Sequence, residues 1–420
     1  MPQRWRNLLL LSLLATSTIF DSCKPKSSSD DPLPTEYYPS VIMNNDNQVV
    51  YALNPQTGTK NWELALPYKT IPPVYTFAPS PLLYGNMVYM ATVNSDTLYK
   101  INAKTGAIVK KMTVSPWSFF HMYATPVADG NLVYIAGDNG ILYALDTGTG
   151  ATKWLYAAQD AGASFVSSPV VANGKVYIAT TTGHVYAIDK TNGPDGSGFP
   201  VWDWPGNGAA STAAFISSAA ITANDTNYLF IGSLSDSNMY CIYQKPPVGF
   251  PPTVGVVRWT YKTKGGIISS PAAYAGTCIF GCNDFKLYCL DTFINPNASI
   301  PQLVPRPRWI DSTNSEIYSS PIVHNQVVYV ASKDYKLYAY NIINGAPKWS
   351  FATNGLIKGS PLPYKGLVYI GSYDKVMYGV DTATGLMKWS YPISGQMSGS
   401  PVLDDFSGKS YNSQISGMQN

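Results

Sequence analysis

Between Ser360 and Trp389 the chain reads as short apolar runs set apart by turn residues. Leu367-Val368-Tyr369-Ile370-Gly371 follows a polar corner, Tyr364-Lys365-Gly366. A tight turn near Asp374-Lys375 returns the chain as Val376-Met377-Tyr378-Gly379-Val380, and Asp381-Thr382-Ala383-Thr384-Gly385 turns it into a last run ending at Trp389. Runs of β-branched and aromatic residues broken by Gly, Asn and Asp are strands joined by hairpins. With the stretch that opens at Ser360-Pro361, the unit is a four-stranded antiparallel sheet.

The unit recurs along nearly the whole chain. Its Ser-Pro or Thr-Pro step stands at Pro81, Pro126, Pro169, Pro271, Pro321, Pro361 and Pro401, with Ala219 in place of proline in one copy; successive steps lie 40 to 52 residues apart. A repeat of that length with four strands per unit is the signature of a propeller blade. The first copy begins in mid-unit, with Val49–Leu53 and Trp62, and the last is only Ser400-Pro401-Val402-Leu403. Joined, the two fragments make one blade beside seven complete ones. The expected fold is an all-β, eight-bladed β-propeller over residues 40–406, closed by pairing of its N- and C-terminal strands, because an open array leaves unpaired edges at both ends. The expected copies differ in detail. The second carries Lys110-Lys111-Met112 where others have tryptophan; Asn139-Gly140 predicts a type I′ hairpin in the third. Gly/Pro-rich insertions fall at 192–200, 246–252 and 295–307, and residues 407–420 read as a polar, frayed tail.

Charged residues are 13% of the chain, against about 25% in ordinary domains. With 31 Tyr and 10 Trp, that fits stacked sheets buried on both faces. A net charge of +3 offers no footprint for nucleic acid. Residues 1–22 read as a lipoprotein signal peptide: Arg4 and Arg6 precede the short apolar core Leu8–Leu14, and Cys23 follows Phe20-Asp21-Ser22 as in a bacterial lipobox, marking Cys23 for lipidation. Residues 23–39 read as a flexible tether of the Lys/Ser/Asp-rich kind that leads outer-membrane lipoproteins. Cys241, Cys278, Cys282 and Cys289 read as small buried hydrophobes, with Cys289 opposite Phe280. A disulfide to a neighbouring blade through Cys241, or a metal site, stays open.

One element carries a resemblance. Asp-x-x-Thr-Gly-x-x-x-Trp stands at Asp146–Trp154 and Asp381–Trp389, and more weakly at Asn54–Trp62 and Asn341–Trp349. The acid or amide caps the turn, Gly takes the positive φ, and Trp lies against the next blade. This resembles the tryptophan-docking repeat of the pyrroloquinoline-quinone (PQQ) propeller superfamily. That superfamily includes quinoprotein alcohol dehydrogenases and BamB, the lipoprotein subunit of the outer-membrane β-barrel assembly machine, and the chain is closer in type to the second. The dehydrogenase branch implies PQQ held on a disulfide of adjacent cysteines, with Ca²⁺ bound by Glu, Asn and Asp. No adjacent cysteine pair exists here, so no cofactor residue carries over. His184 and His324 read as exposed turn residues rather than catalysts, and no phosphate loop, HExxH or paired CxxC motif is present.

Binding is therefore expected on loops. The segments from each outer strand into the next Ser-Pro strand should crowd one mouth of the central channel. The most distinctive holds Trp117, Phe119, Phe120, His121 and Tyr123, a candidate partner-binding patch; alternatively these rings fill the place of the missing second-blade tryptophan. The sequence thus points to a non-catalytic, membrane-anchored, monomeric scaffold that binds a protein at the cell envelope. A generic module for surface ligands such as glycan, or a PQQ-dependent dehydrogenase with Ca²⁺, are the alternatives.

Overall fold

Side chains along each strand alternate between two faces, and in this chain both faces are apolar. Val41 and Met43 join a cluster with Tyr369 and Met377, whereas Ile42 between them packs with Val88 and Met90. A strand buried on both sides must lie in a sheet stacked between two others. A computed structural model describes residues 39–67, 79–93, 96–114, 121–206, 211–222, 228–292, 304–406 and 411–412. The chain divides into two units, Met1–Thr35 and Glu36–Asn420, and every described residue lies in the second. The leader, Cys23, most of the tether, and Trp117, Phe119 and Phe120 lie outside the described residues.

Eight antiparallel sheets make eight blades, seven of them four-stranded. Blade 8 is typical, with Leu362–Tyr364, Leu367–Gly371, Val376–Asp381 and Met387–Pro392 running from the inner to the outer edge. Its outer strand passes through Trp389 to Pro392 rather than ending at the tryptophan. Blade 1 is composite: Val402–Asp404 pairs with Ser40–Asn44 in the register Ile42↔Val402 and Val41↔Leu403, followed by Val49–Leu53 and Lys60–Ala65. Tyr411–Asn412 adds a fifth strand beside Val402–Asp404, so part of the expected tail joins the sheet.

The Ser-Pro step has two structural roles. Proline opens the strand nearest the channel, where its missing N–H leaves no donor to satisfy at the sheet's edge; in blade 1 that edge is covered by Tyr411–Asn412. The residue before the proline closes a circle. The backbone N–H of Ser80 donates to Thr125 Oγ1, Thr125 to Ser168 Oγ, Ser168 to Ser218 Oγ and Ser218 to Ser270 Oγ, at 2.9–3.0 Å. Ser270 donates to Ser320, Ser320 to Ser360, Ser360 to Ser400, and Ser400 back to Ser80, at 2.8–3.2 Å. Where a second serine precedes the step, it clamps its own blade: Ser319 Oγ accepts from Ala331 N–H and donates to Ala331 O, both at 2.8 Å.

At the outer edge, each tryptophan docks on the next blade. Trp349 donates Nε1–H to Thr382 O and Trp389 donates to Pro55 O, both at 2.9 Å, the second across the seam between the chain's ends. The turns receiving them are capped as expected, Asp381 Oδ1 accepting from Ala383 and Thr384 N–H at 3.0 and 2.9 Å. In blade 2, Lys110 replaces the tryptophan. Its ammonium donates to Gly148 O at 3.1 Å, and its stem and Met112 cover Gly150. Lys110 and Met112 thus stand where the other blades place the tryptophan.

Three local expectations are corrected. Asn139-Gly140 is not a type I′ turn: Gly140 has φ 72° but Asn139 is not left-handed, and Gly140 N–H bonds Gly137 O at 3.1 Å. The same connection has Phe285, Tyr335 or Lys375 at the left-handed position, a three-residue form with one residue more than the two-residue hairpin. That extra residue shifts the register in blade 6, so Cys289 lies opposite Ile279 and Phe280 faces Tyr288. His184 is 4% exposed and stacked on Tyr186 at 5.9 Å, and His324 is half-buried on a strand.

Candidate functional site

The eight hydroxyls of the circle line a cavity of about 90 Å³ on the channel axis. Immediately outside stands a second layer, two residues before each step: Tyr123, Val166, Ile216, Ile268, Tyr318, Lys358 and Ser398. These come from the loops expected at one mouth. Each loop is fastened to its blade's hairpin turn, as where Tyr373 N–H bonds Leu356 O at 2.9 Å and Asp374 Oδ2 accepts from Asn354 N–H at 2.9 Å. Rigid strands thus hold a ring of variable side chains over a constant ring of hydroxyls.

The mouth is two-sided. One arc is apolar, with Val93, Tyr123, Val166 and Ile216 in mutual contact. The opposite arc is charged. Lys333 sits 4.6 Å over the Tyr318 ring and 3.4 Å from Glu316, and Lys358 sits 4.6 Å over the Tyr373 ring. Asp46 Oδ1 accepts from Ser398 Oγ at 2.6 Å and from Ser398 N–H at 3.2 Å. Burial pushes the Asp46 carboxyl up, against the pull of Ser398 and Lys358. Burial likewise pushes the Lys358 ammonium down, against the pull of Asp46.

Of the expected patch, His121 and Tyr123 are described and meet: their rings stack at 5.6 Å. His121 Nδ1 lies 2.7 Å from Asp138 Oδ2, and Asp138 Oδ1 accepts the His121 N–H at 2.8 Å. Tyr123 is buried in the apolar arc. Neither Lys358 nor Asp46 stood out in the sequence. The signal that marks Lys358 is that its position varies from copy to copy while the hydroxyl residue two positions on, Ser or Thr, does not.

The cysteines do not form a redox centre. All four are unpaired and buried; Cys241, Cys278 and Cys282 share one layer between blades, and Cys289 faces the next. Desolvation pushes the Cys282 and Cys289 thiols up to about 12. Among the described residues no group of three acidic, His or Cys side chains is placed to hold a metal ion. The polar groups at the mouth are hydroxyls, the Lys333 and Lys358 ammonium groups, and the carboxylates of Asp46 and Glu316.

Known proteins match this geometry. The family model described as "Outer membrane protein assembly factor BamB" matches residues 27–109, 116–266 and 306–410. BamB from Moraxella catarrhalis superposes with a TM-score of 0.58 at 16% identity, over 76% of this chain and 89% of that one. The computationally designed Ika8 protein gives 0.58 at 14% identity, over 80% and 93%. A europium-containing methanol dehydrogenase gives 0.59 at 13% identity, over 79% and 84%. At such identities the structural likenesses speak to the fold alone. No curated protein matches the sequence. The family model, matched over most of the length and joined to eight blades closed across the termini, carries the assignment: this chain belongs to the BamB outer-membrane assembly factor family of PQQ-like propellers.

Proposed function

We propose that the propeller is a non-catalytic scaffold, tethered at the outer membrane through a lipidated Cys23, that binds protein partners during the handling of outer-membrane proteins. The observation that carries this reading is family membership over most of the chain. The mouth is consistent with it. Variable side chains are mounted on a rigid ring. Trp117, Phe119, Phe120 and His121 are the contact residues we assign to the partner, while Tyr123, from the same segment, is buried in the apolar arc.

Crosslinking in intact cell envelopes tests the reading. A β-barrel assembly protein should be recovered, and Cys23→Ala should release the chain into the soluble fraction. Recovery of surface polysaccharide alone would favour a glycan-binding module. The methanol dehydrogenase likeness motivates one control. Reconstitution with PQQ and Ca²⁺ should give no dye-linked alcohol oxidation, and saturable turnover would overturn the scaffold reading.

A further inference from the structure

We propose that the channel throat binds a small organic carboxylate, its charged end on the hydroxyl circle beside Lys358 and its apolar body against Val166, Ile216 and Tyr123. The circle makes the donors. Each oxygen from Thr125 round to Ser400 accepts a backbone N–H from the preceding blade, and an oxygen that accepts a hydrogen bond becomes a stronger donor through its own O–H. These hydroxyls line one cavity, so their donor capacity converges on the axis. Convergent O–H donors beside an ammonium group favour an anion.

The second layer sets the ligand's shape. Lys358 and Lys333 stand on one arc; Glu316 pairs with Lys333 at 3.4 Å, and Asp46, beside Lys358, is bonded twice by Ser398, so Lys358 is the ammonium placed over the circle. The opposite arc is an apolar wall, which a bare inorganic ion leaves uncovered. A cavity of about 90 Å³ holds roughly six to nine waters, room for a ligand of about ten heavy atoms. An anionic head on a short aromatic or aliphatic body meets all three conditions.

The test is calorimetric titration of the full chain with phenylacetate, phenylacetamide and inorganic sulfate. Phenylacetate should saturate a single site. Its neutral amide should bind at least about tenfold more weakly, and so should phenylacetate with Lys358→Met. Lys388→Met, on the outer strand of blade 8, should leave affinity unchanged. Equal affinity for acid and amide in the native chain overturns the proposal without recourse to any variant. So does the absence of saturation by phenylacetate at millimolar concentration, or tighter binding of sulfate than of phenylacetate. The proposal stands apart from the scaffold reading, because envelope crosslinking can fail with this site intact.

Discussion

Gly385 has φ 72°, and a Cβ added there would sit 2.8 Å from the Trp349 ring; Gly366 has φ 83° with nothing within 4 Å. The two positions separate backbone strain from steric exclusion. Gly366→Ala should cost about 1 kcal/mol, the strain of a left-handed alanine. Gly385→Ala should cost on the order of 1–3 kcal/mol more, because the docked indole must move. Urea denaturation of the two variants measures the difference, and equal losses would mean that the ring does not press on the turn. His324 makes a second case. Burial holds its imidazole below the usual 6.5, and its Nε2 lies 3.1 Å from the Asn325 side-chain amide nitrogen, a contact that suits the neutral ring. A base with a depressed folded pKa contributes stability that is present above the unfolded value and lost as pH falls through the folded one. NMR titration should therefore place His324 below 6.5, and His324→Gln should remove part of the stability loss on acidification below that value.

At the scale of the element, the outer strand works as a peg. Trp349 reaches across to Thr382 O and covers Gly385 in blade 8. Trp349→Ala should cost about 3–5 kcal/mol in denaturant titration, through lost packing and an orphaned carbonyl. Lys110→Ala, at the same register in blade 2, should cost about 1 kcal/mol or less, since Met112 remains over Gly150 and the charge is part-exposed. The strands that carry these pegs were legible in the sequence, because apolar runs such as Leu367–Gly371 and Val376–Asp381 repeat at a steady interval between Gly- and Asp-rich turns. What was not legible came from single residues. Phe285, Tyr335 and Lys375 take a left-handed turn position that glycine usually announces, so the sequence suggests a hairpin one residue shorter, with Cys289 opposite Phe280 instead of Ile279. His184 reads as a turn residue beside Gly183 yet lies buried against Tyr186, in a turn that the segment around Ser211–Phe215 packs against. Tyr411–Asn412, two residues in a polar tail, is too short to show alternation. The mouth was legible only in part, since its loops and Tyr123 were expected there. Asp46 and Lys358 are far apart in sequence, each in a segment that reads as an ordinary loop, and only ring closure brings them to one mouth.

For the whole molecule, everything depends on the last strand reaching the first. Val402–Asp404 completes blade 1, burying Val402 and Leu403 fully, and Ser400 supplies both an acceptor and a donor to the circle. Ending the chain at Gly399 removes two of the circle's bonds and leaves the Ser360 N–H without its acceptor. It also uncovers one edge of Ser40–Asn44. Each buried N–H left unpaired costs about 1–3 kcal/mol, and each lost apolar side chain about 1.5–3 kcal/mol. Together these approach the whole margin of about 5–15 kcal/mol that holds a domain folded. The chain ended at Gly399 should therefore lose cooperative unfolding and self-associate through the open edge, seen as high-mass species in size-exclusion chromatography with light scattering. Ser400→Ala gives the contrast. It deletes only the acceptor for Ser360 N–H, while the backbone N–H at position 400 still reaches Ser80 Oγ at 2.8 Å. That variant should stay a single cooperative species and lose about 1–3 kcal/mol, close to the loss from Ser320→Ala at the equivalent place between blades 6 and 7. If ending the chain at Gly399 leaves a monomer as stable as the full chain, the blades are held by their faces alone and the seam is incidental.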